Sequence, residues 1–125
     1  MIPYGRQNIN ENDIAAVIET LKSDFITQGP MVENFEDKII CRVNSSFALT
    51  FNSATSALHS ACLALGLGPD DILWTSPITF VASANCGLMC RAKVDFVDID
   101  PETYNLCPIA LEKKLVEAEK NGLLP

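Results

Sequence analysis

"FNSATSAL", residues 51–58, decides the fold, because an apolar run ends there and a run of small apolar residues begins. FALTF, residues 47–51, reads as a buried strand. Residues 54–65 read as a helix rich in Ala and Leu, stopped by Gly66 and Gly68. The strand hands over to the helix through Asn52, Ser53, Ala54 and Thr55, with no glycine among them. Ser53 can cap the helix, and the amides of Ala54 and Thr55 fall in the first turn, where no carbonyl of the same helix reaches them. Small side chains at these positions leave the backbone open to an anion at a positive helix end. Two readings follow: an ordinary Ser/Thr cap, or a phosphate cup made of two amides and the Thr55 hydroxyl. On local chemistry alone the plain cap is the stronger of the two.

The same handover recurs downstream. ILWTS, residues 72–76, is a second predicted strand, ended by Pro77 and followed by a small-residue helix over TFVASANCGLMC, residues 79–90. VDFVDI, residues 94–99, is a third, followed by the DPETYN turn and a polar helix from Pro108 to about Lys120, with Gly122 as its stop. Upstream, Ile14, Val17, Ile18 and Leu21 have helical spacing between Asn10 and Asp24, with Asn10 or Asn12 as cap. TQGP, residues 27–30, breaks that helix, and Pro30 opens another carrying Val32, Phe35, Ile39 and Ile40 on one face. The predicted order is therefore helix, helix, then strand–helix three times, an α/β arrangement with mostly parallel strands and helices packed around them. The helices after the first two strands carry few charges, which predicts deep burial. Residues 1–45 are expected to form an amino-terminal helical segment, and 46–125 the first part of a larger domain, because three parallel strands leave open sheet edges.

Composition narrows the function. The chain has 125 residues, 48% of them hydrophobic, and a formal net charge of −7. That balance argues against nucleic-acid binding, which needs clustered Lys and Arg. No apolar run is long enough for a membrane span, and the start does not read as a signal peptide. The five cysteines, an odd number without framework spacing, read as reduced and mostly buried thiols, which suits the cytoplasm, the expected location. Cys86 and Cys90 share a helix face, but no second pair and no nearby His completes a zinc site, so no metal is expected.

Ligands of α/β sheets sit at the carboxyl ends of the strands. Besides Asn52–Thr55, two other ends are visible. Phe80, after Pro77, could stack on a planar heterocycle or could be a core aromatic in the first turn of a buried helix, the latter being the stronger local reading. Thr79 could cap or touch a ligand. Asp98 and Asp100 could serve acid–base or metal chemistry, but Asp before Pro at a strand exit reads better as a turn. His59, the lone histidine, is not expected to be a catalyst. No GxGxxG follows the first strand and no GxxxxGK[ST] occurs, so dinucleotide and P-loop readings are weak.

IPYGRQNI (2–9), SDFITQGPMVENFE (23–36), NSATSALHSACLALGLGPDD (52–71), WTSPITFVASANC (74–86) and VDFVDIDPETYN (94–105) occur together in one order. In that order and spacing they resemble the opening of the DegT/DnrJ/EryC1/StrS nucleotide-sugar aminotransferases, which are pyridoxal-phosphate enzymes of fold type I. The nearest branch is the one acting on UDP-4-keto-6-deoxy-N-acetyl-altrosamine in pseudaminic acid synthesis. The resemblance implies that Ser53, Ala54 and Thr55 hold the cofactor phosphate and that Phe80 stacks on the pyridine ring. It implies that Tyr4, Asp24, Phe25, Ile26 and Thr27 contact the sugar nucleotide, with Ala54 near both ligands. It also implies a homo-oligomer, glutamate as amino donor and a UDP-sugar as acceptor.

The lysine that such enzymes bond to the cofactor is expected beyond Pro125, as is the aspartate that pairs with the pyridine nitrogen. None of Lys22, Lys38, Lys93, Lys113, Lys114 or Lys120 stands at a family position for that lysine, so the chain alone is expected to be inactive and to contain no catalytic residue. Two other readings remain open. One is a non-catalytic fragment or binding module. The other is a sugar dehydratase relative that keeps the cofactor but replaces the lysine with histidine.

Overall fold

A computed structural model describes residues 4–124. The chain divides into two compact units, residues 1–50 and 51–125.

The first unit contains two helices. α1, Glu11–Lys22, starts where a reciprocal cap forms: the Asn10 Oδ1 accepts from the amides of Asn12 (2.8 Å) and Asp13 (3.3 Å), and the Asp13 carboxylate accepts from the Asn10 amide at 2.8 Å. α2, Pro30–Val43, begins with Pro30, whose missing N–H costs nothing in the first turn, and ends on Asn44 in the left-handed conformation.

The predicted strand at 47–51 does not form. Residues 46–51 are extended or irregular and unpaired, with Phe47 86% and Leu49 77% exposed. The cause is the absence of a neighbouring strand: an apolar β-prone run becomes a strand only when another backbone completes its ladder. The amide and hydroxyl of Thr50 donate instead to the Glu36 Oε1, at 2.7 and 2.8 Å.

The second unit begins with α3, Ala54–Ala64, capped by Ser53 and closed near Gly66, whose φ of +81° suits glycine. β1, Ile72–Thr75, α4, Ala82–Met89, and β2, Lys93–Phe96, follow, and α5 spans Pro108–Asn121 with Gly122 in the left-handed position just beyond it. Among the described residues the sheet has two strands, β1 and β2, parallel, with Leu73 opposite Val94 and Trp74 opposite Asp95. The expected third strand over 94–99 forms only as Lys93–Phe96, ending level with the end of β1, where the Val97 amide still donates to the Thr75 carbonyl at 2.9 Å. Ile99 pairs with Leu106 in an isolated antiparallel bridge, closing the turn from Asp100 to Asn105.

The sheet's alternation separates its two faces. Leu73 and Val94 point at α4, where Gly87 lies so close that an added Cβ would sit 2.9 Å from Leu73 Cδ2 and 3.1 Å from Val94 Cγ2. Ile72, Trp74 and Asp95 point to the other face and line a groove with α5. The buried apolar residues are Ala82, Cys86, Cys90, Ala92, Val97 and Ala118. Deep burial of both small-residue helices is therefore only half realised: α4 buries Ala82, Cys86 and Gly87, whereas α3 buries no residue. α3 leans on α4 rather than on a sheet strand, so one side of it meets solvent.

Candidate functional site

The first strand-end candidate stands at the start of α3. The Ser53 Oγ accepts from the Ser56 amide at 3.2 Å and lies 3.0 Å from the Ser56 Oγ, and the Ser56 hydroxyl donates to the Asn52 Oδ1 at 2.9 Å. Ser53 is thus occupied as a cap. Ala54 and Thr55 are the first two helical residues, so their amides point out of the helix end. Thr55 is half-buried, and α3 has no acidic residue in its first turn, unlike α1 with Glu11 and Asp13. Two outward amides, a hydroxyl and a helix dipole without an opposing carboxylate fit a phosphate group. Ser53 fits as the residue that orders the cup more than as one of its donors.

Phe80 lies just before α4 and is 75% exposed. α4 starts later than the predicted residue 79, and Phe80 precedes its first buried residue, Ala82, so among the described residues no core covers its ring. Thr79 shares a 3.1 Å hydrogen bond with Ser83 across that start. Thr55 and Phe80 stand at the amino-terminal ends of two helices packed on each other.

Tyr4 and Asp24–Thr27 belong to the first unit and are all exposed. The 24–27 segment links α1 to α2 and is shaped locally. Ser23 donates its hydroxyl to the carbonyls of Thr20 (2.7 Å) and Phe25 (3.1 Å), Gln28 is left-handed, and a Cβ on Gly29 would lie 2.6 Å from that of Phe25.

The third strand-end candidate is a turn, as its Asp–Pro sequence indicates. The Asp100 Oδ1 accepts from the amides of Glu102 and Thr103, both at 2.9 Å, and from the Thr103 hydroxyl at 3.2 Å. The Thr103 and Glu102 amides hold the Asp100 carboxyl below its ordinary value. Asp98 accepts from the amide of its neighbour Ile99.

One constellation had escaped the sequence reading. Lys114 of α5 pairs with Asp95, donates to the Phe96 carbonyl at 2.6 Å and sits 5.0 Å from the centre of the Trp74 ring. The Lys114 ammonium, then the Phe96 amide, pull the Asp95 carboxyl below its usual range. Trp74, Asp95 and Lys114 line a groove of about 570 Å³ between the sheet and α5. The groove contains none of Ser53, Ala54, Thr55 or Phe80. Within it Lys114 and Asp95 are engaged with each other, which makes that pair a joint between α5 and the sheet, whereas the first-turn amides of α3 point out of the helix end.

Parallel β1 and β2 with α4 on one face and α5 on the other define a partial α/β fold of the aminotransferase type. The chain belongs to the DegT/DnrJ/EryC1/StrS aminotransferase family, whose pattern it matches over residues 7–125. It is 42% identical over 117 residues to a UDP-4-amino-4,6-dideoxy-N-acetyl-beta-L-altrosamine transaminase of Campylobacter jejuni, covering 94% of this chain and 31% of that protein. Among solved structures, the PLP form of Spr1654 from Streptococcus pneumoniae superposes with a TM-score of 0.85 at 30% identity, covering 90% of this chain and 29% of that one. Helicobacter pylori PseC, an aminotransferase of pseudaminic acid biosynthesis, gives 0.82 at 34% identity, over 89% and 30%. The chain thus spans about a third of the length of the relatives it matches.

Proposed function

We propose that this chain is the amino-terminal part of a pyridoxal-phosphate aminotransferase that transfers an amino group from glutamate to a 4-keto-6-deoxy UDP-sugar, in cell-surface polysaccharide or pseudaminic acid synthesis. The observation that carries the reading is the start of α3, whose first turn offers the outward amides of Ala54 and Thr55 and contains no acidic residue, in a chain of this family. Residues 1–45 form its leading helical segment and 46–125 the first part of its cofactor-binding domain. The cytoplasm suits the five free thiols.

In this reading the Ala54 and Thr55 amides and the Thr55 hydroxyl hold the cofactor phosphate, with Ser53 fixing the turn. The exposed Phe80 ring covers one face of the pyridine. Tyr4 and Asp24–Thr27 contact the sugar nucleotide, and Ala54, with only a methyl group, lets both ligands approach its backbone. Bound pyridoxal phosphate supplies the electron sink that amino transfer needs. The residues of this chain bind and orient it; proton transfer at the reacting carbons falls to a lysine other than Lys22, Lys38, Lys93, Lys113, Lys114 and Lys120, none of which stands at a family position for that role. The parent enzyme works as a homo-oligomer.

Pyridoxamine 5′-phosphate tests the cup, because it cannot form Schiff bases with surface lysines. Titrated into the isotope-labelled chain, it should shift the amide resonances of Ala54, Thr55 and Phe80. Thr55→Ala should weaken binding about tenfold, the worth of one charge-assisted hydrogen bond. Amine transfer by the chain alone should be absent. Shifts confined to other residues, or transaminase activity from these residues alone, would overturn the assignment.

A further inference from the structure

Three of the five thiols collect on one seam, and the aminotransferase reading uses none of them. α4 packs against β1, β2 and α3. Its Gly87 faces the sheet, within van der Waals distance of Leu73 and Val94. At 3.6 residues per turn, Cys86 and Cys90 lie roughly 100° and roughly 60° around the helix from Gly87, on the same side. Both are buried, at 3% and 7% exposure, on the flank of α4 beside its sheet-facing side. The element left to cover that flank is α3, which carries the half-buried Cys62. The Cys62 thiol is pushed up to about 11, first by burial and then by its neighbours Cys86 and, more weakly, Cys90. Cys86 already donates its S–H to the Ser83 carbonyl at 3.3 Å, which fixes the direction of its sulfur. No group of three among the described His, Cys, Asp and Glu residues has the arrangement of a metal site.

We propose that Cys62 and Cys86 form an intramolecular disulfide when the protein meets a hydroperoxide, joining α3 to α4. Hydrogen peroxide first converts the Cys62 thiol to a sulfenic acid, releasing one water. The Cys86 sulfur then attacks that sulfur: the S–S bond forms, the S–O bond breaks, and hydroxide leaves with the Cys86 proton as a second water. Two thiols lose two electrons and two protons, and the peroxide is reduced. The bridge does not depend on whether the cofactor binds. Cys62 is largely protonated at neutral pH, so the reaction is slow and belongs to oxidant exposure rather than to the resting state.

The test is hydrogen peroxide treatment of the dilute full chain, alkylation of free thiols, and cleavage before Asp71, which separates Cys62 from Cys86 and Cys90, with Cys86→Ser and Cys90→Ser variants telling those two apart. The expected product is a reducible Cys62–Cys86 pair, lost in Cys62→Ser and sharply diminished when the chain is unfolded in urea before oxidation. A link from Cys62 to Cys90, links to the exposed Cys41 only, or equal yields from folded and unfolded chains would overturn the proposal.

Discussion

Lys114 shows what one residue contributes and why sequence could not announce it. Its partners Trp74, Asp95 and Phe96 lie on two strands, and only the packing of α5 over the sheet brings them to one ammonium. The capping residues were legible because their partners are near in sequence: Asn10 finds Asp13, Ser53 finds Ser56, and Asp100 finds Thr103. Lys114→Met keeps the stem that packs on Trp74 and removes the charge. Asp95 is more than half exposed, so solvent screens the pair, and the loss should be about 1 kcal/mol in urea unfolding near pH 7. The sign of the pH effect follows from the lowered Asp95 carboxyl: its stabilisation is present above the unfolded carboxyl range and lost as pH falls through the lower folded value. The gap between wild type and Lys114→Met should therefore narrow as pH falls below the ordinary carboxylate range, while the Asp100 turn keeps an acid dependence in both proteins. A gap unchanged from neutral to acid would remove Asp95 from the account.

At the scale of elements, helices were read more faithfully than strands. Pro30 and Pro108 open helices, and Gly66 and Gly122 follow helix ends in left-handed conformations, because these residues act on the backbone beside them. A strand depends on a partner that can be anywhere, so ILWT and KVDF paired while FALTF did not. The site divides in the same way. The Ser53 cap was visible in the sequence, whereas the exposure of Phe80 depended on where α4 begins. Gly87 belongs to this scale too, since it sets how closely α4 approaches the sheet. Gly87→Ala adds helix propensity worth roughly 1 kcal/mol. Its methyl, however, would press on the Leu73 Cβ at 3.0 Å, an atom fixed to the β1 backbone. Overpacking of this kind costs about 1–3 kcal/mol, so the variant should unfold at lower urea than wild type. A midpoint equal to or above that of wild type would show that the sheet and α4 separate freely.

For the whole molecule, the decisive quantity is apolar surface. Phe47, Leu49, Ile26, Leu65 and Phe80 are each more than half exposed, in a chain that spans about a third of its relatives' length. Residues 47–51 combine this exposure with an unpaired β-prone backbone, the pattern that recruits a second chain by edge pairing. The 13.6 kDa chain should accordingly self-associate, and light scattering coupled to gel filtration should give a mass above the monomer that rises with concentration. Charges placed on an edge block such pairing without touching a core, and Phe47 and Leu49 contribute little to one. The double variant Phe47→Lys, Leu49→Lys should move the mass toward 13.6 kDa and leave the unfolding free energy within about 0.5 kcal/mol of wild type. If association persists in that variant with the fold intact, the contact lies on another surface, and 47–51 is a solvated linker rather than a strand awaiting its neighbour.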